Sequence, residues 1–213
     1  MEHVNKKTQY RESLKVSILI AAEEAFIKNG IRSVRMDDIA SSLSISKRTL
    51  YELFSDKQKL LFEVVQFHHD RMDKVLTETI GNTENVVEIL FQFYKIVTKN
   101  FQRINRVFFQ DLEKYPEVVA SVQLKRKEEA KRSMDFYMKG VKQGIFREDV
   151  NYTIIRALIS EQLFNLFKSD ILSSYSLVEI FENVFFMHMR GISTPRGLEL
   201  VDQYRVNLQS KNI

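Results

Sequence analysis

The stretch MDDIASSLSISKRTLYELFSDK, from Met36 to Lys57, decides the fold of the N-terminal part of this chain. Apolar side chains follow helical spacing over residues 36–43 and again over residues 47–54. The run Ser44-Ile45-Ser46 interrupts the spacing between them, and Ser46 is a good N-cap for the second segment. Two short helices joined by so tight a turn indicate a helix-turn-helix unit, whose second helix reads DNA.

The neighbouring segments complete a small helical domain. Helical spacing covers roughly residues 12–29, and Gly30 provides a stop that accepts positive φ. After Ser55-Asp56, a long fourth helix is predicted to reach about Thr79, just before Gly81. We therefore predict a three-helix DNA-binding domain over residues 10–60, with the fourth helix leading onward.

The composition extends the helical prediction to the whole chain of 213 residues. Six glycines and two prolines are few for this length, and a strand-rich fold needs more turn residues. The predicted class is all-α, with a helical bundle over residues 61–213. Its predicted helices cover residues 85–103, 105–114, 117–143, 151–168, 175–190 and 196–209.

Composition also excludes several classes of function. The chain has no cysteine, so disulfides, thiol catalysis and thiolate metal sites are absent. No apolar run is long enough to span a membrane, and the N-terminus lacks the apolar core of a signal peptide. The net charge is +4, and residues 1–60 hold 11 basic against 8 acidic side chains. This excess weakly favours a polyanionic partner.

The predicted recognition helix carries chemistry suited to DNA. Lys47, Arg48 and Tyr51 share the face opposite its apolar side chains, and Thr49 lies at the edge of that face. Lysine and arginine bond guanine edges in the major groove, and hydroxyl groups bond phosphate oxygens. Lys57, at the start of the fourth helix, is predicted to bind the DNA backbone.

These residues also carry a family resemblance. Met36-Asp-Asp-Ile-Ala, Ile45-Ser-Lys-Arg-Thr-Leu-Tyr-Glu-Leu-Phe and the later Lys57 closely resemble the DNA-binding domain of the TetR family of bacterial regulators. The resemblance covers roughly residues 12–65. The DNA-binding residues it implies, together with the chemistry above, are Arg35, Met36, Ser46, Lys47, Arg48, Thr49, Tyr51 and Lys57.

Three positions depart from the common family pattern. Ser44 stands where many members have a glycine between the short helices, which predicts a slightly less stable turn. Arg35 replaces a frequent threonine cap, and Arg48 replaces a frequent glycine early in the recognition helix. Both arginines add positive charge near DNA, so they change the expected operator more than the expected activity.

The resemblance implies a cytoplasmic, nucleoid-associated bacterial regulator, most often a repressor. It would bind a double-stranded, near-palindromic operator as a homodimer, which pairs through the last long helices of residues 61–213. A small apolar ligand often lowers DNA affinity in the family. The aromatic and methionine side chains that we interpret as a candidate pocket are Phe108, Phe109, Met134, Tyr137, Phe164 and Phe167.

Two of the predicted helices, over residues 151–168 and 175–190, are apolar around almost their whole circumference. A helix of this kind must be covered on more than one side, and a partner subunit is the expected second cover. We predict that the dimer contact includes Leu158, Phe164, Phe181, Phe185 and His188.

Two other functional classes stay open at this point. One is a helical enzyme or ligand carrier, and the other is a DNA-binding regulator without a small-molecule ligand. No Ser/His/Asp set, phosphate loop or metal spacing is evident, so we predict no enzyme, no cofactor and no metal. His68-His69-Asp70 chelates poorly because adjacent helical residues point about 100° apart. The basic run 125–132 contains its own acidic partners and is read as a solvated helix face.

Overall fold

The computed structural model describes residues 2–81, 83–128, 130–166 and 171–210. The predicted all-α class is confirmed: 80% of the structure is helical, and the described residues contain no strand. An isolated bridge joins Phe146 and Ser193. The helices are α1 Glu2–Asn29, α2 Met36–Ser42, α3 Lys47–Leu53, α4 Lys57–Ile80, α5 Val86–Phe101, α6 Arg106–Leu112, α7 Pro116–Glu128, α8 Ala130–Lys142, α9 Tyr152–Leu166, α10 Ile171–Ser174, α11 Leu177–Ile192 and α12 Pro195–Ser210.

The predicted helix ends are mostly confirmed. Gly30 follows α1 with a φ of 83°, in the left-handed region where glycine ends a helix without steric cost. α12 begins at Pro195, and the Thr194 hydroxyl accepts the Gly197 N–H at 3.1 Å. Proline at this position sacrifices no helical hydrogen bond.

Three elements differ from their predicted extent. α1 begins at Glu2, ten residues earlier than the apolar pattern indicated, because its N-terminal turns carry few apolar side chains. The single helix predicted over 117–143 is described as α7 and α8, with residue 129 outside the described residues. The four-residue helix α10 is new, since it is too short to show a period.

The chain forms two compact units. The first comprises Met1–Val75 together with Arg103–Gln123. Its interior is built from fully buried side chains of α1, of α3 with its C-cap, and of α4: Ile18, Ala22, Phe26, Leu50, Phe54, Leu60 and Leu61. α6 packs on α1 within this unit. The compact unit is thus larger than the 10–60 segment predicted to bind DNA, because a segment distant in sequence joins it.

The second unit comprises Leu76–Gln102 together with Leu124–Ile213. An aromatic cluster forms its core, where the Tyr94 ring centroid lies 5.1–5.8 Å from those of Phe181, Phe185 and Phe186. Nearby, Gly140 lets the Phe146 ring approach so closely that a Cβ would lie 2.0 Å from it. In the described part of the chain, no helix is both long and apolar enough to cross a membrane.

Candidate nucleic-acid interface

The turn between α2 and α3 places the recognition helix. Ser44 has a φ of 54°, the left-handed region that glycine adopts easily and other residues adopt at a cost of about 1 kcal/mol. The Ile45 N–H donates to the Ala40 carbonyl at 3.0 Å and closes the turn. The predicted cost of a serine at this position is therefore explained by its backbone angle.

Ser46 caps α3, as predicted. Its hydroxyl oxygen accepts the Thr49 backbone N–H at 3.1 Å and lies 2.8 Å from the Thr49 hydroxyl. Leu50, one residue further along, is fully buried and anchors the helix to the core. The cap and the anchor together decide which face of α3 points outward.

The outward face of α3 carries the predicted cations. The side chain of Arg48 is 89% exposed, and its Nε donates to Glu52 Oε1 at 2.8 Å. Lys47 is 67% exposed and pairs with Asp37 of α2 at 2.5 Å. Tyr51 is 48% exposed. Exposed ion pairs of this kind are weak, so each cation can exchange its carboxylate for a DNA group.

The start of α2 borders this face. Arg35 is exposed and stands at the N-cap, where its backbone N–H donates to Asp38 Oδ2 at 2.8 Å. The reciprocal bond of a capping box is missing because an arginine side chain has no acceptor. Met36 is buried and packs in the core.

Lys57 has a different environment from the other predicted DNA ligands. It is half-buried, and its Nζ donates to the Val34 carbonyl at 2.5 Å and to the Arg32 carbonyl at 3.3 Å. Burial lowers the pKa of Lys57, while the carboxylates of Asp111 and Asp38 act in the opposite direction. Two of the three ammonium protons are thus engaged within the protein.

Arg11 is a basic residue at this interface that the sequence analysis missed. Its Nη2 lies 3.4 Å from the Glu52 carbonyl oxygen, at the end of α3. The predicted α1 began at residue 12, so Arg11 fell outside the helix. The spacing of Arg11 and Lys15, one helical turn apart, was the signal available.

The candidate pocket residues fall in two different units. Phe108 and Phe109 are buried on α6 of the first unit, while Met134 and Tyr137 belong to α8 of the second. The side chain of Phe164 and the whole of Phe167 lie outside the described residues.

The candidate dimer residues also differ in exposure. Phe181 and Phe185 are buried in the aromatic cluster of their own chain, whereas Leu158 is 53% exposed. His188 is half-buried, and its Nε2 lies 3.0 Å from the Tyr137 hydroxyl oxygen. Burial lowers the pKa of His188 to about 4 and raises that of Tyr137 to about 12. Both groups are therefore neutral near pH 7.

A buried charge cluster lies inside the first unit. Glu23 of α1 is 3% exposed, and its Oε1 lies 2.6 Å from both His68 Nδ1 and Arg71 Nη2 of α4. His68 thus takes part in a contact between α1 and α4. Among the residues that the structure describes, no three His, Cys, Asp or Glu side chains are grouped to hold a metal ion.

Comparison with known proteins agrees with this geometry. The family described as "Bacterial regulatory proteins, tetR family" matches residues 18–64. The transcriptional activator FasR of Mycolicibacterium smegmatis is 30% identical over 118 residues, which are 54% of each chain. The match therefore spans about half the length of this relative. The transcriptional repressor KstR2 of the same organism is 23% identical over 68% of this chain and 73% of its own.

Solved structures share the fold over most of the chain. A regulator from Saccharomonospora viridis, crystallised with choline, has a TM-score of 0.70 at 17% identity. The alignment covers 86% of this chain and 99% of that one. The fold and the interface together define a helix-turn-helix regulatory protein with a helical C-terminal unit. Within that class, residues 18–64 carry the DNA-binding domain of the TetR family of bacterial transcriptional regulators.

Proposed function

We propose that this protein is a sequence-specific, DNA-binding repressor of transcription that acts in the bacterial cytoplasm. We also propose that it is not an enzyme. The observation that carries the proposal is the outward face of α3, where Lys47, Arg48 and Tyr51 are exposed. The two cations are held only by exposed, weak ion pairs, so this face can enter a major groove. Ser46, Thr49, Arg35 and Met36 support that surface from the cap and from α2, and Lys57 lies at the start of α4 beside it.

Selection of bound sequences from a random DNA pool tests this function. The full chain is expected to enrich a near-palindromic site, and the double variant Lys47→Ala/Arg48→Ala is expected to lose it. The matched control is Lys95→Ala/Lys99→Ala, which removes the same charge from exposed positions of α5. Equal loss in both double variants would mean that only net charge matters, and the proposed recognition surface would be wrong.

We further propose a homodimer, which presents two recognition helices to successive major grooves. The support lies on α9 and α11, where Ile154, Leu158 and Met187 are 55%, 53% and 65% exposed. On α11, Phe181 and Phe185 are buried in the aromatic cluster and His188 is half-buried. Large apolar side chains at this exposure favour a second copy of the chain as their cover.

Light scattering at micromolar concentration checks the dimer. The wild type is expected at twice the chain mass of 25.2 kDa, and Leu158→Glu at the single mass. Leu124→Glu is the matched control: Leu124 is also exposed, at 60%, but it lies on α7 and not on the helices α9 and α11 of the proposed contact, so this variant is expected to remain dimeric. A monomeric wild type would contradict the proposal.

We also propose that a small apolar ligand controls DNA affinity. The aromatic core of the second unit supports this, with Met134 and Tyr137 as the described candidate contacts and Phe164 and Phe167 beyond the described side chains. KstR2 of Mycobacterium tuberculosis is described as a ketosteroid regulator, which names an apolar class for that protein. Steroids are therefore the first compounds to test, as additions to the operator-binding assay.

A coupling of about 1–3 kcal/mol is typical of such control, or roughly 5–150-fold in operator affinity. A regulator without a small-molecule ligand would leave operator affinity unchanged within about twofold for every compound.

A further inference from the structure

The loop between α1 and α2 is held from two sides by side chains distant in sequence. On one side, the buried carboxylate of Asp111 on α6 accepts the Arg32 backbone N–H at 2.8 Å. On the other side, the ammonium of Lys57 on α4 donates to the carbonyls of Arg32 and Val34. The peptide groups of Arg32 are thus fixed at both the N–H and the carbonyl.

The close contact between α6 and the α1–α2 loop depends on the backbone at Gly30. Gly30 takes a φ of 83°, and a Cβ at this position would lie 2.7 Å from Val107 Cγ1 and 3.0 Å from Asp111 Oδ2. The Asn105 backbone N–H donates to the Ile27 carbonyl at 2.7 Å, so the segment before α6 also satisfies the end of α1. Only glycine at residue 30 lets α6 approach closely enough for Asp111 to reach the loop.

The loop leads directly into the DNA-facing start of α2. Arg35, exposed at the N-cap, follows Val34 whose carbonyl is bound by Lys57. Moving Val34 therefore moves the Arg35 side chain and the first turn of α2. A cation that neutralises phosphate is expected to be exposed, as Arg48 is, whereas Lys57 is half-buried and already engaged.

We infer that Lys57 and Asp111 are positioning residues that together fix the α1–α2 loop for DNA binding, and that Lys57 acts through this loop rather than by neutralising a phosphate. The inference rests on the proposed function, since it assigns a role within the same DNA-binding surface. We call the pair of Lys57 and Asp111 the loop clamp. Because both members hold one loop, removal of the second is expected to add little to removal of the first.

Amide hydrogen exchange on the full chain without DNA tests the clamp directly. The Arg32 amide is expected to be protected in the wild type and to exchange at least about tenfold faster in Asp111→Ala. Lys57→Met keeps most of the aliphatic stem and removes the donors, and it is expected to speed exchange over residues 32–35. Lys59→Met, two residues along α4 and directed at Glu63, is the matched control. Unchanged exchange in both clamp variants would overturn the inference.

Operator affinity across a salt series separates positioning from phosphate binding. Each lost phosphate contact lowers the slope of log affinity against log salt by about 1. Lys57→Met and Asp111→Ala are each expected to weaken operator binding about tenfold with the wild-type slope retained. The double variant is expected to bind within about twofold of the weaker single variant.

A lower slope in Lys57→Met, or wild-type operator affinity in Asp111→Ala, would overturn the inference. If Asp111→Ala does not fold, Asp111→Asn replaces it, because the amide keeps an acceptor oxygen and loses the charge near Lys57. The operator affinity of Asp111→Asn is then expected to fall less, by about threefold. Wild-type operator affinity in this variant would also overturn the inference. A wild-type chain that selects no DNA sequence would refute the proposed function, while hydrogen exchange would still decide whether the clamp exists.

Discussion

The two units of this protein differ in the charge of a buried titratable side chain: one unit keeps it ionised, and the other keeps it neutral. In the first unit, Glu23 is buried but keeps its charge: burial alone raises its pKa, yet the hydrogen bond and charge of His68, with those of Arg71, lower it overall. In the second unit, His188 has the neutral Tyr137 hydroxyl as its described partner, and burial lowers the pKa of His188 to about 4. The difference teaches that the charge of the neighbour, not burial alone, decides whether an interior group stays ionised.

The charged interior of the first unit is expected to give the largest stability effect. Glu23→Ala leaves His68 and Arg71 without their shared carboxylate, and the free energy of unfolding is expected to fall by about 2–3 kcal/mol. Denaturant titration at pH 7 measures this loss. Glu24→Ala, the exposed neighbour on α1, is the control and is expected to change stability little. Equal losses in both variants would mean that the buried cluster has no special role.

The pH dependence of the two units sharpens the comparison. The folded pKa of His188 is depressed, so the unfolded chain binds more protons as pH falls below about 6.5. Stability is therefore expected to decline between about pH 6.5 and pH 4, by at most about 3 kcal/mol. Glu23 has a lowered folded pKa, so its contribution is present above its ordinary value of 4.5 and is lost only below it.

The variant His188→Gln isolates the second unit in this measurement. It removes the titrating group while retaining a polar side chain of similar length, and the decline above pH 4.5 is expected to disappear from a series of denaturant titrations. A decline that persists in His188→Gln would assign the pH dependence to another group.

The pair that the buried Glu23 forms with Arg71 can be compared with an exposed arginine–carboxylate pair of the same unit. Arg48 and Glu52 pair at 2.8 Å on the outside of α3. Arg48→Ala is expected to leave the thermal midpoint unchanged but to weaken operator binding roughly tenfold to a hundredfold and to relax preference at one base pair of each half-site. Binding to operator and random DNA checks both parts. A large fall in the thermal midpoint would show that the pair supports the fold instead.

The smallest expected effect is a gain in the first unit. Ser44→Gly relieves the positive φ of the turn between α2 and α3, against a larger loss of chain entropy on folding. The net expectation is a stabilisation of about 0.5–1 kcal/mol, measured by denaturant titration, with operator preference retained. Ser42→Gly, inside the last turn of α2, is the control and is expected to destabilise. Loss of stability in Ser44→Gly would mean that the serine side chain has a stabilising contact.

Local sequence determined the helical class and the helix-turn-helix motif. Helical spacing, the Ser46 cap and the positive-φ turn at Ser44 act within a few residues, so they can be read directly from the chain. The same locality explains the position of Arg48: once Leu50 is buried, Arg48, two residues earlier and about 160° around the helix, must point away from the core.

Tertiary structure alone decided which residues distant in sequence share an environment. Phe108 and Asp111 lie about fifty residues beyond Lys57, yet α6 packs in the first unit and brings Asp111 to the α1–α2 loop. Phe181 and Phe185 were expected to need a partner subunit, but Tyr94 of α5 covers them within one chain. Periodicity reports how apolar a helix is on each side and not which neighbour covers it, because that neighbour is chosen by the path of the whole chain. For the same reason, the charge on Lys57 was evident from its sequence, while its burial against two carbonyl oxygens was set only by folding.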